Sequence, residues 1–365
     1  MKVNILLSSN FFGDHCSYSF AFPILRSLNL IKDGGVKINF FYSYKKNIFD
    51  GDILIIDSRF SGKQESTIQF IENLKKNKTK ELKIIFADTA DNSGQIKTEF
   101  LPFVDTYWKG QILKNKDEYM KPHYGGRFFT DYYNKKNGIK DSNEQFSKPI
   151  KNKRLLKKIK VCWNMGLCDH GKYSHIKQKM FSIFKSRIFI SNSNSASNNY
   201  DNRINNLSCR IGDKYDRETV QFQRKKIKTL IESHTDTFKI GRFKYLNEMQ
   251  NSKCVISPFG WGELCPRDFE TFLSGGILLK PNMSVFDTWP NWYVSKKDKD
   301  NTDFGTYLSF KWDFSDLEKI LQSVTSKYTK FKHIAKQGQK TYMMYTKGES
   351  SKIIFAKRFL ELIRN

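Results

Sequence analysis

Long apolar runs are missing from this 365-residue sequence. No stretch approaches the roughly 20 apolar residues that a membrane-spanning helix needs. The run at residues 3–7 (VNILL) is also too short for a secretory signal. We therefore expect a cytoplasmic protein whose contact with a membrane is at most peripheral, at its inner face.

Clustered metal ligands and cysteine pairs are also missing. The six cysteines form no CxxC pair and have no group of histidines nearby, which disfavours a zinc site and a disulfide framework. They are Cys16, Cys162, Cys168, Cys209, Cys254 and Cys265. The spacing predicts reduced thiols.

Acidic residues are few relative to basic ones. The chain has 63 Lys and Arg against 37 Asp and Glu, a formal charge of +26, which predicts an anionic partner such as nucleic acid, a membrane surface or a phosphorylated substrate. Most of the lysines are scattered, as on a solvated surface. The one dense basic stretch, residues 148–160, spaces Leu155, Leu156 and Ile159 as on an amphipathic helix, which would rest on anionic lipid.

What is present is enough apolar material for two cores. Chains of this length usually divide into domains of 100–200 residues, and 39% of the residues are hydrophobic. We place a first domain at residues 1–180 and a second at residues 181–365.

Short apolar runs alternate with helical periodicities in both halves. In the first half the predicted strands are residues 3–9, 36–42, 53–57, 82–88 and 159–167; in the second they are 186–193, 253–257 and 276–280. This alternation is typical of parallel sheets covered by helices on both faces. The predicted fold class is α/β, with two Rossmann-like domains facing each other across a cleft and a C-terminal helix that packs back toward the first domain.

The segment from residue 253 to residue 281 is the most informative. A strand closed by Pro258, a glycine-containing loop, a helix starting at Pro266 and a second strand closed by Pro281 form a compact βαβ unit. Ligands of open parallel sheets bind beyond the carboxyl ends of the strands. The loop at residues 259–267 is therefore the predicted binding crevice.

The predicted helix carries a phosphate-binding and a ribose-binding group on one side. Arg267 and Glu270 are one turn apart, so that a guanidinium and a carboxylate project together. An Arg at a helix N-terminus suits a diphosphate, and a carboxylate suits the paired hydroxyls of a ribose. Gly260 and Gly262 would let the backbone approach the ligand.

Other residues near this unit have two interpretations each. Glu263 would contact the donor or cap the helix, and Trp261 is expected in the core. Arg210 and Arg224 would supply further phosphate contacts across the crevice, or lie on solvated surface.

The sequence SPFGWGELCPRDFETFLSGGILLKPNM (residues 257–283) resembles the donor-site signature of bacterial and viral GT-B glycosyltransferases of the group 1 kind, and its Arg-x-x-Glu resembles the exostosin-like branch. By this resemblance the second domain holds a nucleotide sugar and Glu270, followed five residues later by Gly275, binds the ribose. Many retaining members have another glutamate eight positions earlier, where this chain has Gly262. The resemblance implies a transferase acting on a glycan, lipid or protein acceptor, with its stereochemistry open. We expect no metal and no cofactor, because Arg side chains and helix N-termini can stabilise the leaving diphosphate.

A transferase also needs a base for the acceptor hydroxyl, and the loops after the first-domain strands are where we expect it. Asp14 and His15 follow the first strand, while Asp88 and Asp91 follow another. The turn or cap role, which is the commoner one for such residues in loops, is the other interpretation of each. The Asp-x-Asp pattern at residues 298–300 lies in a lysine-rich run and is interpreted as surface loop, not as a metal site.

Three other classes remain open. The charge and the interleaved aromatic residues would suit a nucleic-acid-binding protein, although no recognised binding motif is present and we expect no nucleic-acid partner. A sugar-nucleotide epimerase would use the same fold. A degenerate transferase would bind no nucleotide.

Overall fold

The computed structural model of the chain describes residues 1–60, 68–72, 82–192, 196–297 and 303–365. Structural statements below concern these residues. The Asp-x-Asp pattern at residues 298–300 lies outside them.

The first half is built on a parallel sheet of six strands. Its strands are β1 (Lys2–Leu6), β2 (Lys37–Phe41), β3 (Ile53–Asp57), β4 (Lys83–Asp88), β5 (Thr106–Lys109) and β7 (Ile159–Val161). The short strand β6 (Gln111–Leu113) follows β5 and lies outside this sheet. The sheet order is β2-β1-β3-β4-β5-β7, and every pairing in it is parallel. Strand β3 is buried along its whole length, which explains why its first four residues, Ile53 to Ile56, are all apolar.

The helices of this half are α1 (His15–Arg26), α2 (Leu28–Asp33), α3 (Phe128–Asn137) and α4 (Ser174–Phe184). Short 3₁₀ helices occur at Lys46–Phe49, Lys116–Met120, Lys153–Lys158, Met165–Leu167 and Arg187–Phe189.

The second half has its own parallel sheet. Its strands are β8 (Asn205–Ser208), β9 (Ser252–Ile256), β10 (Ile277–Pro281) and β14 (Leu308–Phe310), in the order β14-β10-β9-β8. Strand β12 (Ser295–Lys297) pairs antiparallel with β13 (Asp303–Gly305), and β11 (Phe286–Thr288) pairs antiparallel with β6. The helices are α5 (Glu218–Ile231), α6 (Arg242–Gln250), α7 (Pro266–Ser274), α8 (Leu317–Ser326), α9 (Tyr328–Thr346) and α10 (Gly348–Arg364).

Two parallel, helix-covered sheets confirm the predicted α/β class with two Rossmann-like units. The sheets lie on either side of residue 180, although the boundary itself stays a prediction.

The two halves are joined by more than the chain connection. Strand β11 of the second half pairs antiparallel with β6 of the first, so that a two-stranded ribbon crosses between them. The last helix, α10, packs against α1 and α2, as predicted. There the Arg26 guanidinium donates to Ser351 Oγ at 3.0 Å, and the Trp163 ring lies 5.1 Å from that of Phe355.

The prediction of an amphipathic helix at residues 148–160 is wrong. The segment contains the 3₁₀ helix Lys153–Lys158 and then enters β7. Leu156 and Ile159 are buried and Leu155 packs against the core, so this stretch presents no apolar face to a lipid surface. None of the described helices is long and apolar enough to cross a membrane.

The prediction of a strand at residues 186–193 is also wrong. Its described part contains the 3₁₀ helix Arg187–Phe189, and Ile188 is exposed. Phe189 packs against the core and Ile190 is buried, so the apolar run is only partly exposed and does not form the predicted strand.

Candidate functional site

The loop between β9 and α7 is held by the first turn of the helix. Cys265, in extended conformation, is the N-cap of α7, and its backbone N–H donates to the Asp268 carboxylate at 3.1 Å. Phe269, Phe272 and Leu273 are buried, as the predicted apolar stripe requires. The helix ends at Gly275, whose φ of +69° favours glycine.

A buried ion pair fixes the underside of this turn. Lys280 Nζ lies 3.0 Å from an Asp268 carboxylate oxygen, and both side chains are fully buried. The Tyr293 hydroxyl donates to the same carboxylate at 2.6 Å. Because Asp268 is occupied in this way, it does not neutralise its neighbour Arg267.

A cavity of about 780 Å³ opens at the amino end of α7, between the two halves. Its cationic side chains outnumber its acidic ones by six to three: Arg210, Lys214, Arg224, Lys239, Arg242 and Arg267 against Asp91, Asp216 and Glu270. Such an excess in a concave surface attracts an anionic ligand.

Arg267 and Glu270 both line this cavity, as the helical spacing predicts. Arg267 donates from Nε to the Tyr245 hydroxyl at 3.1 Å and from Nη2 to the Arg210 carbonyl at 2.6 Å. The largely buried Glu270 accepts from Arg242 Nη1 at 2.9 Å.

The predicted Arg210 and Arg224 also lie in the cavity wall. Arg210 makes a two-pronged contact with Glu248, at 2.7–3.1 Å. Arg224 is held by backbone carbonyls instead, donating to Gly212 and Phe259 at 2.9 Å each. Burial lowers the pKa of Arg224, and no carboxylate is among the groups to which it donates.

Sequence reasoning missed Arg242, Lys214 and Lys239. Arg242 is the first residue of α6, a helix that was predicted without an assigned role. Lys214 and Lys239 lie in loops, where one sequence gives no signal that separates them from surface lysines.

Gly260 and Gly262 both line the cavity, but the structure gives a different reason for Gly262 than the predicted one. A Cβ on Gly262 would lie 1.9 Å from the Asp91 carbonyl oxygen, which no side chain tolerates. The residue therefore permits contact with the first half of the chain. At Gly260 the nearest atom to such a Cβ is Arg224 Nη2, at 3.4 Å.

Glu263 does not contact the cavity, contrary to the donor contact considered from the sequence. Its fully buried carboxylate accepts hydrogen bonds from Ser93 N and Oγ, both at 2.9 Å, and from Gln111 Nε2 at 2.8 Å. Burial raises its pKa to about 7, against the opposing effect of the Ser93 hydrogen bonds. Glu263 therefore ties the loop to the first half.

Trp261 was expected in the core, but its side chain lies in the cavity wall and the residue is 39% exposed. The Arg127 guanidinium lies 5.4 Å from its ring centre, and the Tyr215 ring lies 5.3 Å away.

In the first half of the chain, the two predicted catalytic residues, Asp14 and His15, have different environments. The Asp14 carboxylate caps α1 through Oδ1, accepting from Cys16 N at 2.9 Å and Ser17 N at 3.1 Å, which is the cap role that was its other interpretation. His15 lines a smaller cavity of about 90 Å³. This smaller cavity shares Asp91, Met165 and Leu264 with the larger one.

Asp88 and Asp91, the other residues considered for the base, also have different environments. Asp88 is buried against Lys109 Nζ and the Tyr107 hydroxyl, at 2.6 Å each. Burial raises its pKa, but the charges of Lys109 and Lys97 and the hydrogen bonds from Lys109 and Tyr107 together outweigh this and lower the pKa. Asp91 is exposed and lines both cavities.

No family model matches the chain, and no curated protein sequence does so either. Among solved structures, HepE of Anabaena in complex with UDP is 10% identical at a TM-score of 0.46, with 100% of both chains covered. The same protein with UDP-glucose gives 10% identity and a TM-score of 0.44, covering 100% of this chain and 99% of HepE. A Listeria monocytogenes protein named as a UDP-N-acetylglucosamine 2-epimerase is 9% identical at a TM-score of 0.38, covering 100% of this chain and 95% of its own.

Proposed function

We propose that the chain is a metal-independent glycosyltransferase, which moves a sugar from a nucleotide-sugar donor to an acceptor hydroxyl of a glycan, lipid or protein. The observation that carries the proposal is the cavity at the start of α7, where six cationic side chains and Glu270 face Asp91 of the first half.

The cations suit the diphosphate of such a donor. Arg267 and Arg224 are fixed by carbonyl and hydroxyl groups and not by carboxylates, so their charge is available to a phosphate. The amino end of α7 adds its dipole. These groups would stabilise the diphosphate as it leaves, which is where negative charge develops.

Glu270 suits the ribose. Its carboxylate accepts one hydrogen bond from Arg242 on Oε1, and an ionised carboxylate accepts several. The contact with Arg242 also fixes its orientation within the cavity.

The reaction is a displacement at the anomeric carbon. The acceptor oxygen forms the new bond, the bond from the anomeric carbon to the diphosphate oxygen breaks, and its electron pair leaves with the diphosphate. The acceptor proton passes to a base. We assign this role to Asp91, with His15 of the adjoining cavity as a second candidate.

The donor site is tested by nucleotide binding. We expect Arg267→Ala and Glu270→Ala to fold normally and to lose about 2 kcal/mol of affinity each, or about thirtyfold. Titration calorimetry with nucleoside diphosphates and their sugars measures this, and a thermal-shift screen selects the nucleotide beforehand. Arg154→Ala, at an exposed arginine outside the cavity wall, is the control.

Unchanged affinity in both cavity variants would refute the site. Incubation with the donor alone separates the activities, because an epimerase converts it while a transferase only hydrolyses it slowly. The anomeric configuration of the transfer product, read by NMR, distinguishes inversion from retention.

A further inference from the structure

The outer surface of α4, together with the residues on either side of the helix, exposes several large apolar side chains. Each is between 52% and 76% exposed. They are Tyr173, Ile176, Ile183, Phe184 and Ile188, and together they define the α4 face.

The helical members of the α4 face project to one side. Ile176 and Ile183 are seven residues apart, which places them two turns apart on one stripe of the helix, with Phe184 beside it. Another side of α4 is buried: Phe181 packs against Phe12, with ring centres 5.6 Å apart. The helix thus has a core side and a second apolar side in solvent.

The segment that forms the α4 face is basic, and Glu349, which lines a surface cavity together with Arg187 and Ile188, is paired with Lys352 at 2.8 Å. Residues 170–200 contain five Lys and Arg and neither Asp nor Glu. Four of the five are exposed, namely Lys172, Lys179, Lys185 and Arg187. Lys177 is paired outside this stretch with Asp169, at 2.9 Å.

The α4 face lies beside the mouth of the cleft. Arg242, in the cavity wall, donates from Nη2 to the Gly171 carbonyl at 3.3 Å, three residues before α4 begins. Gln178 donates to the Phe12 carbonyl at 3.3 Å, and Phe12 belongs to the loop that leads to His15.

We propose that the α4 face docks onto an anionic lipid bilayer. Exposed apolar side chains enter the acyl boundary while flanking cations meet the lipid phosphates, which is the arrangement of an interfacial helix. The lack of acidic residues in the segment at residues 170–200 suits an anionic surface, and the large apolar side chains suit a lipid phase better than a hydrated anion. This inference goes beyond the proposed function and does not depend on it.

The first test uses the full chain and phosphatidylcholine vesicles with and without phosphatidylglycerol. Co-sedimentation is expected with the anionic vesicles only. Ile183→Ser/Phe184→Ser should weaken this binding by at least about tenfold, since two apolar side chains no longer enter the bilayer. Ile204→Ser/Met344→Ser removes two exposed apolar side chains elsewhere and should bind as the unmodified chain does.

The second test concerns charge. Lys179→Glu/Arg187→Glu should weaken binding to anionic vesicles by at least about tenfold, whereas Lys319→Glu/Lys330→Glu changes the net charge equally and should have little effect. Equal binding of all variants would overturn the proposal. So would a concentration-dependent dimer that the Ile183→Ser/Phe184→Ser change dissociates, since the occupant would then be a second copy of the chain.

Discussion

Asp91 lies where the two cavities meet. Its carbonyl oxygen lies so close to Gly262 that any side chain there would collide with it, and Gln111 Nε2 donates to the same oxygen. The backbone of Asp91 is therefore fixed against the loop between β9 and α7. In the proposed transferase, its exposed carboxylate would meet an acceptor at a defined distance from the donor.

We expect Asp91→Asn to reduce turnover by at least about a hundredfold, because the amide cannot take a proton from the acceptor. Donor affinity should change little, since the proposed donor contacts come from the other wall. Asp216→Asn removes a carboxylate from the same cavity and should keep most of the turnover. Steady-state kinetics with calorimetry on the same samples measures both quantities, and full turnover in Asp91→Asn would exclude this base.

Glu263 makes the stability of the chain depend on pH. Burial raises its pKa in the folded chain from the ordinary 4.5 to about 7. The stabilising contribution is thus fully present below about pH 4.5 and is lost as the pH rises through 7. The difference corresponds to about 3 kcal/mol.

Glu263→Gln should remove this dependence, because its amide stays neutral. Its oxygen can accept from Ser93 N and Gln111, while its NH₂ can donate to Ser93 Oγ. We expect the variant to lose less stability than the unmodified chain between about pH 5 and 8. Denaturant unfolding across this range measures it, and the exposed Glu232→Gln serves as control. Parallel profiles for Glu263→Gln and the unmodified chain would contradict the assignment.

At this scale, helical spacing predicted that Arg267 and Glu270 would share one wall. The environment of Glu263 was not predictable, because Ser93 and Gln111 are more than 150 residues away in the sequence. Asp14 could be interpreted as a base or as a cap, and only the hydrogen bonds of the folded chain show that it caps α1.

Among the elements, the βαβ unit around α7 is stabilised by a guanidinium from outside it. The buried Arg203 donates to the carbonyl of Met249 near the end of α6, to that of Ser252 at the start of β9, and to those of Ser274 and Gly275 at the end of α7. Burial lowers its pKa. One side chain thus satisfies carbonyls at the ends of two helices and a strand.

Arg203→Met should destabilise the chain by at least about 3 kcal/mol, because four buried carbonyl groups lose a donor. Arg203→Lys should recover only part, since one ammonium cannot reach both pairs. Chemical denaturation measures the loss, and Arg154→Met, at an exposed position, should be near neutral. A loss below about 1 kcal/mol in Arg203→Met would mean that water replaces the guanidinium.

The elements that were predicted well have clear periodicity. Residues 53–57 form the predicted strand, and α7 begins at the predicted Pro266. The wrong predictions at residues 148–160 and 186–193 have one cause. The local sequence, apolar residues among basic ones, is the same whether the apolar side chains are buried or exposed. Only the tertiary structure distinguishes these cases.

Over the whole molecule, the charge of +26 is distributed unevenly. Part of it lines the cavity at α7 and part surrounds the α4 face, while other lysines are scattered over the surface. A polynucleotide would meet the scattered charge without directed contacts, whereas a nucleotide sugar would meet fixed guanidinium groups.

We therefore expect single-stranded oligonucleotides to bind only weakly, with an affinity that falls steeply between about 50 mM and 200 mM salt because counterion release drives it. Nucleoside diphosphate affinity should fall far less. Fluorescence anisotropy against salt measures both, with the nucleotide as competitor. Salt-resistant oligonucleotide binding that the nucleotide displaces would favour a nucleic-acid-binding protein.

The ribbon formed by β6 and β11 limits how the chain can be divided into fragments that fold by themselves. Each half supplies one strand, so a fragment expressed by itself would have an edge of unpaired amide and carbonyl groups and would lack part of its own periphery. A fragment of the first half would also lack α10, which covers α1 and α2. Fragments divided near residue 180 should aggregate when produced separately and should regain a native fold when co-expressed.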